Sequence, residues 1–272
     1  MTGIEELAAQ DIFSMLKASK RHTMVRVGFF EISGQRVFDL INNHTEVFVR
    51  EDERGDVHVQ GLGYSQAQSA EELLEIIRIG SEQRTTRQTQ RNEASSRSHA
   101  VCQIMLYDEL EDGKLSDVPR GRMCLVDLAG SERGADTTDH DKDRQQETIA
   151  INSSLMVLKE CIRSRVLEMK CGAATAIHVP YRQSRLTLLL KEAFTRDDVG
   201  TAVIVTLSPI ESDIPHSTNA CRFADRIKEK GTGSNGLDKE DPRTWTKQEV
   251  YNWIWQLLAT CKTKETDRLF TP

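Results

Sequence analysis

"GRMCLVDLAG", residues 121–130, decides the fold. A compact, mostly apolar run ends in Asp127, and Gly130 follows three residues later. The run has the length and composition of a strand buried within a sheet. An acid at the carboxyl end of a parallel strand stands where open α/β sheets bind ligands. A carboxylate there suits a magnesium ion beside a nucleotide, commonly through water. A glycine there lets a backbone N–H come close to a terminal phosphate. A plain strand followed by an ordinary turn reads equally well from this stretch alone.

Working outward, buried strands alternate with amphipathic helices. "MVRVGFFEI" (24–32) reads as a strand and "GQRVFDLI" continues toward a second. "HAVCQIMLYDEL" carries apolar residues on both alternating faces, and "GTAVIVTLSP" (200–209) reads as another buried strand stopped by Pro209. Helical spacing recurs at Ile4, Leu7, Ala8, Ile12, Met15 and Leu16. "SAEELLEIIRIG" (69–80) predicts a short helix that starts at a serine and ends at Gly80. Leu155, Leu158, Ile162 and Val166 form one helical face, and Leu186, Leu189, Leu190 and Ala193 form another. "STNACRFADRIKEK" makes a third helix. Strands and helices in this order imply a three-layer α/β sheet.

Composition removes several classes of function. The 272 residues carry 36 basic and 42 acidic side chains, a formal charge of −6, so no global basic field points to nucleic acid. No apolar stretch reaches membrane-spanning length. The acidic, amphipathic start argues against a signal or transit peptide. The six cysteines have no zinc-ligand spacing and read as reduced core residues of an intracellular protein.

"NEASSRSH" (92–99) places four hydroxyl or imidazole groups, Ser95, Ser96, Ser98 and His99, around Arg97. Ser95 and Ser96 can offer hydroxyls to a phosphate oxygen and to magnesium. Arg97 can form a two-pronged pair with the carboxylate of Glu132, linking the two loops so that they report a γ-phosphate. The bland alternative is a pair of exposed charges of little energetic value.

Taken together, "NEASSRSH" and "LVDLAGSERGADT" strongly resemble the two switch loops of kinesin motor domains. "INSSLMVLKECIR" and "HVPYRQSRLTLLLKEAF" resemble the family's microtubule-facing helices and the loop between them, and "RFADRIKE" resembles the end of the motor core. The resemblance runs over about residues 1–229. "ERGAD" and "LKECIR" look most like the kinesin-13 class, the internal-motor kinesins that depolymerise microtubule ends. The resemblance implies a P-loop-NTPase-like, three-layer α/β motor fold and a microtubule-stimulated ATPase using ATP and Mg2+. Its partner is the microtubule, with neither nucleic acid nor membrane, and its place is the cytoplasm and the microtubule cytoskeleton.

Residue by residue, the resemblance implies that Ser95 and Ser96 contact γ-phosphate, magnesium and the attacking water, with Asn92 on the nucleotide side. Ser96 and, through water, Asp127 hold magnesium. Gly130 donates its amide to γ-phosphate. Arg97 and Glu132 form the latch between the switches. Asn152 begins the long helix that the second switch governs. Lys159, Arg163, Arg165, Arg182, Arg185 and Lys191 form the microtubule-binding patch; without the resemblance they read as the solvated face of two amphipathic helices.

The phosphate cradle G-x-x-x-x-G-K-[ST] does not occur in the sequence: the only Gly-Lys pair is Gly113-Lys114, followed by Leu115. In kinesins the first strands, the purine-contacting residues and this P-loop precede the matching region. The resemblance therefore implies the C-terminal two-thirds of a motor domain, incomplete at its N-terminus. A truncated gene model, a split fragment and a motor relic all agree with this, and an initial Met running straight into family-like sequence favours truncation. Exposed apolar surface and weak or absent ATP binding by the chain alone are expected. Ser153 stands where the family usually has lysine. Asp136, Asp139, Asp141, Asp143 and Glu147 outnumber Lys142 and Arg144 in the loop after Glu132, which opposes an acidic partner surface.

The alternative is a non-catalytic microtubule-binding protein derived from a motor. A GTPase reading fails for want of an Asn-Lys-x-Asp guanine motif. "GTGSNGLDKEDP" (231–242) reads as a linker; its G-x-G-x-x-G match follows a charged helix and opens none. The expected division is a partial motor domain over 1–229, a linker over 230–243 and a helical segment over 244–272. In the last, Thr246 and Glu249 have capping-box spacing and Trp245 can staple to Val250, resembling the start of a sterile alpha motif.

Overall fold

A computed structural model describes residues 2–19, 21–90, 98–110, 112, 114–130, 142–171, 178–196, 199–208, 210 and 213–227. The chain divides into two compact units, Met1–Lys228 and Glu229–Pro272. The expected linker and C-terminal helical segment lie outside the described residues, so only the first unit is described.

Its centre is the ladder between β1 (Thr23–Ser33) and β6 (His99–Asp108). They pair antiparallel from Thr23 opposite Asp108 to Ile32 opposite His99. On the other side of β1 lie two short strands in tandem. β2 (Arg36–Asp39) pairs with Phe30–Ser33, and β5 (Ser65–Ala67) pairs with Val25–Val27. Beyond β2 come β3 (Glu46–Glu51) and β4 (Val57–Gln60), and outside β6 comes β7 (Gly121–Asp127). Every ladder among the described residues is antiparallel, including β6–β7, so the parallel strand expected to end in Asp127 is paired antiparallel on its described side.

Both faces of the sheet are covered, which gives the three layers. Val25, Val27 and Phe29 of β1 and Ala100, Cys102 and Ile104 of β6 point to one face. There they pack on Ala9 of α1 (Thr2–Ala18) and on Leu73 and Ile77 of α2 (Ala70–Gln90). Phe30, Ile32 and Val101 point to the other face. They meet Leu158 and Ile162 of α3 (Lys142–Cys171) and Leu186 and Leu188 of α4 (Arg185–Leu189). The period-two alternation of a strand produces this division without further help. A 3₁₀ turn (Tyr181–Gln183) precedes α4, and α5 (Lys191–Thr195) and α6 (Ile214–Ile227) complete the described helices.

Three expectations are corrected. First, α2 does not stop at Gly80 but runs on to Gln90. Ser69 does start it, accepting a hydrogen bond from the Glu72 N–H at 3.2 Å. Gly80 is there for a different reason. A Cβ on it would lie 2.1 Å from Cδ1 of Phe29, so the glycine lets the helix descend onto β1. Second, α3 starts at Lys142, ten residues before Asn152, which is an exposed residue within it. Third, 200–208 is not a buried strand. It has no regular secondary structure, and Val203, Ile204 and Leu207 are exposed. An apolar run becomes a strand only where a neighbour completes its ladder, and among the described residues nothing pairs with it. β7 has no described neighbour on its outer side either, and its Met123 is exposed.

Gly80→Ala tests the close approach. A gain in helix propensity of about 1 kcal/mol competes with overpacking against Phe29, which costs about 1–3 kcal/mol. The ring is buried and cannot swing away, so net destabilisation is expected, read as a lower urea midpoint. A higher midpoint would show that α2 shifts freely over β1.

Candidate functional site

The site forms where β7 ends, because three elements reach that point. Asp127 lies opposite Ala100 in the β6–β7 ladder, so its side chain belongs to the α2 face. Leu73, Ile77, Gly80 and Arg84 follow helical spacing along α2 and share the face turned to the sheet. The continuation of α2 past Gly80 thus carries Arg84 to the strand ends. Arg84 Nη1 donates to Oδ2 of Asp127 at 2.7 Å, and Nη2 donates to the Ser98 carbonyl at 2.8 Å. The arginine side chain is 13% exposed and the aspartate 46%. The carboxylate therefore remains open to water on the side away from the guanidinium.

Ser98 and His99 answer the question raised by their motif. Neither faces solvent as an anion ligand. Ser98 donates its hydroxyl to Oε2 of Glu31 at 3.1 Å, and Oε1 of the same carboxylate lies 2.7 Å from Nε2 of His44. His99 is 1% exposed and points to the opposite face, with Ile32 as its ladder partner. The Ala129 N–H donates to its Nδ1 at 2.9 Å. Nδ1 is therefore the unprotonated nitrogen, and Nε2 carries the proton. Nε2 donates to Oγ of Ser154 at 2.8 Å, and that hydroxyl donates to the Ile151 carbonyl at 2.7 Å. Burial, aided by the Arg84 guanidinium and opposed by Asp127, pushes the imidazole pKa down to about 4.

Of the expected site residues, Asp127 and Gly130 sit together at the end of β7, and Gly130 is half-buried. Asn92, Ser95, Ser96, Arg97 and Glu132 lie outside the described residues, as do Asp136, Asp139 and Asp141. Asp127 fits a magnesium-bound water: it is a hard oxygen donor, partly exposed, with its charge partly offset by Arg84. Among the described residues no group of three or more His, Cys, Asp or Glu is placed to hold a metal directly. An ion at Asp127 would have to draw the rest of its shell from water and ligand oxygens.

The basic residues of the expected microtubule patch fall into two sets. Lys191 donates to Oε1 of Glu51 at 2.7 Å and to the Gly55 carbonyl at 3.1 Å, with its side chain 24% exposed. Arg165 donates to the Phe194 carbonyl at 2.9 Å and pairs with Glu168 at 2.8 Å. Both serve internal packing. Arg163 is exposed, and the Arg182 side chain is 81% exposed although its Nε reaches Oε2 of Glu51 at 2.9 Å. Lys159 and Arg185 are half-buried.

Arg84 and Ser154 escaped the sequence reading, and His99 was read with the anion-facing group rather than as a buried residue. Arg84 was hidden because the helix was ended at Gly80. The other two left a weaker signal: a histidine opening an apolar strand, and a serine on the same helical face as Ile151, Leu155 and Leu158.

His99 generates a pH prediction. An unfolded histidine binds its proton near pH 6.5, whereas the folded one resists protonation down to about 4. Its depressed pKa contributes stability above pH 6.5 that is lost as pH falls through that window, about 3 kcal/mol in all. Denaturant midpoints between pH 7 and 4 should fall more steeply for the unsubstituted chain than for His99→Gln. Parallel curves would refute the buried neutral imidazole.

Comparison with known proteins shows the family and agrees with the fold. The family described as "Kinesin motor domain" matches residues 1–230. The chain is 43% identical over 236 residues to "Diatom spindle kinesin-1" of Cylindrotheca fusiformis, covering 87% of this chain and 36% of that protein. It is 41% identical over 233 residues to "Kinesin-like protein KIF24" of Homo sapiens, covering 85% of this chain and 16% of that protein. It thus spans little more than a third of the length of the first relative and about a sixth of the second. Among solved structures, the "C-terminal motor and motor homology domain of Kar3Vik1 fused to a synthetic heterodimeric coiled coil" superposes with a TM-score of 0.67 at 29% identity, covering 83% of this chain and 57% of that one. With its family match, its relatives and its fold in agreement, the chain belongs to the kinesin family through its motor domain.

Proposed function

We propose that this chain supplies the switch and microtubule-facing part of a kinesin motor that couples ATP turnover to microtubule binding, followed by movement or depolymerisation. One observation carries the reading: the carboxylate of Asp127 and the backbone at Gly130 stand together at the end of β7, tied to α2 by Arg84 and to α3 through His99. Asp127 would hold a magnesium-bound water, and the Gly130 amide would face a terminal phosphate. Ser95, Ser96 and Asn92 would complete the nucleotide side, and Arg97 with Glu132 would latch the loops. Magnesium and ATP, when bound, would supply the phosphoryl group and neutralise its developing charge. Preorganised donors of this chain would stabilise that charge without reorganising. The wording of "ERGAD" and "LKECIR" supports the depolymerising kinesin-13 class. The same reading puts the protein on cytoplasmic microtubules.

A second reading, passive microtubule binding, is favoured by the lack of a G-x-x-x-x-G-K-[ST] loop in the sequence and by Ser153. Co-sedimentation with microtubules separates the two. The chain and a version extended upstream with the P-loop region are compared without nucleotide, with ADP and with a non-hydrolysable ATP analogue. The motor reading expects nucleotide-dependent affinity and tubulin-stimulated turnover in the extended protein, lowered at least about tenfold by Asp127→Asn. Affinity that ignores nucleotide in the extended protein supports the passive reading. No binding by either refutes both.

The basic residues give a finer test. Arg163→Ala combined with Arg182→Ala should weaken binding several-fold and flatten its salt dependence. Lys191→Met should instead lower stability by about 1–3 kcal/mol, because its ammonium is committed to Glu51 and Gly55. Equal loss of binding at unchanged stability for Lys191→Met would return it to the patch.

A further inference from the structure

We propose that His99 is a positioning residue of the motor cycle, whose imidazole clasps the loop carrying Gly130 to helix α3 so that the two shift together. The inference rests on the switch-loop reading of Asp127 and Gly130.

The geometry supplies the clasp at both ends. On the loop side the Ala129 N–H donates to Nδ1 of His99, which fixes the plane of the peptide immediately before the one that bears the Gly130 N–H. On the helix side Nε2 donates to Ser154, and the Ser154 hydroxyl donates a hydrogen bond to the Ile151 carbonyl one turn back. Each ring nitrogen has one role, and reversing either would leave a buried polar group unpaired. The ring is held in turn by β6, since His99 is the strand's first residue and lies opposite Ile32.

Apolar contact repeats the same connection. Ala129 packs in one buried cluster with Ile151 and Leu155, with Leu128 at its edge. The loop thus meets α3 through a hydrogen-bond relay and a hydrophobic seam at the same turn of helix. A displacement at Gly130 cannot be absorbed within the loop without breaking the relay. It is carried instead to α3, whose exposed face bears Arg163. Charge does not drive the connection, because the relay consists of neutral groups; Arg84 and Asp127 lie on the other face of the strand ends.

Ser154→Ala tests the proposal with little risk to the fold, since it deletes one oxygen and leaves the helix its best former. Amide exchange and ring nitrogen shifts are followed by NMR on the full chain. In the unsubstituted protein Nδ1 should show the unprotonated type of shift and Nε2 the protonated type. In Ser154→Ala the Ala129 amide, on a different element, should exchange at least about tenfold faster, and the ring should lose its single tautomer. Amides of β1 and β6 should keep their rates. Ser154→Thr, which keeps the hydroxyl, should restore protection at Ala129.

An unchanged Ala129 rate in Ser154→Ala, with faster exchange confined to α3, would overturn the clasp. So would a uniform loss of protection through β1 and β6 in both variants, since the hydroxyl would then serve only global stability. Failure of the motor reading shows separately, as microtubule affinity of the extended, otherwise unsubstituted protein that is absent or ignores nucleotide, and leaves the exchange result where it stands.

Discussion

The structure depends on the register of β1 against β6. With Ile32 opposite His99 and Val27 opposite Ile104, each strand sends one set of side chains to α1 and α2 and the other to α3 and α4. A slip of one residue would exchange the faces. His99 would then meet α2, and β7, which takes its register from β6, would swing Asp127 away from Arg84. The apolar residues enforce the register on both faces at once, because each face is buried under helices. The polar site at the end of β7 is therefore positioned by hydrophobic packing that it does not itself take part in.

Two helices then meet the strand ends from opposite sides. α2 approaches closely enough because Gly80 presents no side chain to Phe29. Four residues later the helix turns Arg84 toward Asp127 and the Ser98 carbonyl. α3 approaches through Ile151, Ser154 and Leu155, a mixed apolar and hydroxyl turn that suits a neutral imidazole. One side of the 127–130 segment is thus tied by a charged group and the other by neutral ones. A partly exposed ion pair weakens with salt, whereas a buried neutral relay does not, so the two attachments respond to different conditions.

The outer side of β7 and the 200–208 segment expose apolar groups that a sheet would ordinarily cover. "AVIVTL" has strand composition but no described ladder partner, and composition cannot supply one. The antiparallel β1–β6 region is self-sufficient by contrast, because each strand finds its neighbours within the chain. Charge obeys the same logic. Lys191 and Arg165 look like surface cations in the sequence, yet Glu51, Gly55, Glu168 and the Phe194 carbonyl claim them.

By itself the sequence determined most of the alternation of strands and helices, and the family. Each of these is written locally: a continuous apolar run in "HAVCQIML", helical period in α1 and α3, and the wording of "NEASSRSH" and "LVDLAGSERGADT". Only the tertiary structure decided that Gly80 lies inside a helix rather than at its end, that 200–208 has no described strand partner, and that Arg84, His99 and Ser154 converge on the end of β7. The reason is one of range. Residues 84, 99, 129 and 154 are far apart along the chain and share no periodicity, and their contacts exist only once the β1–β6 register and the helices above and below it are in place.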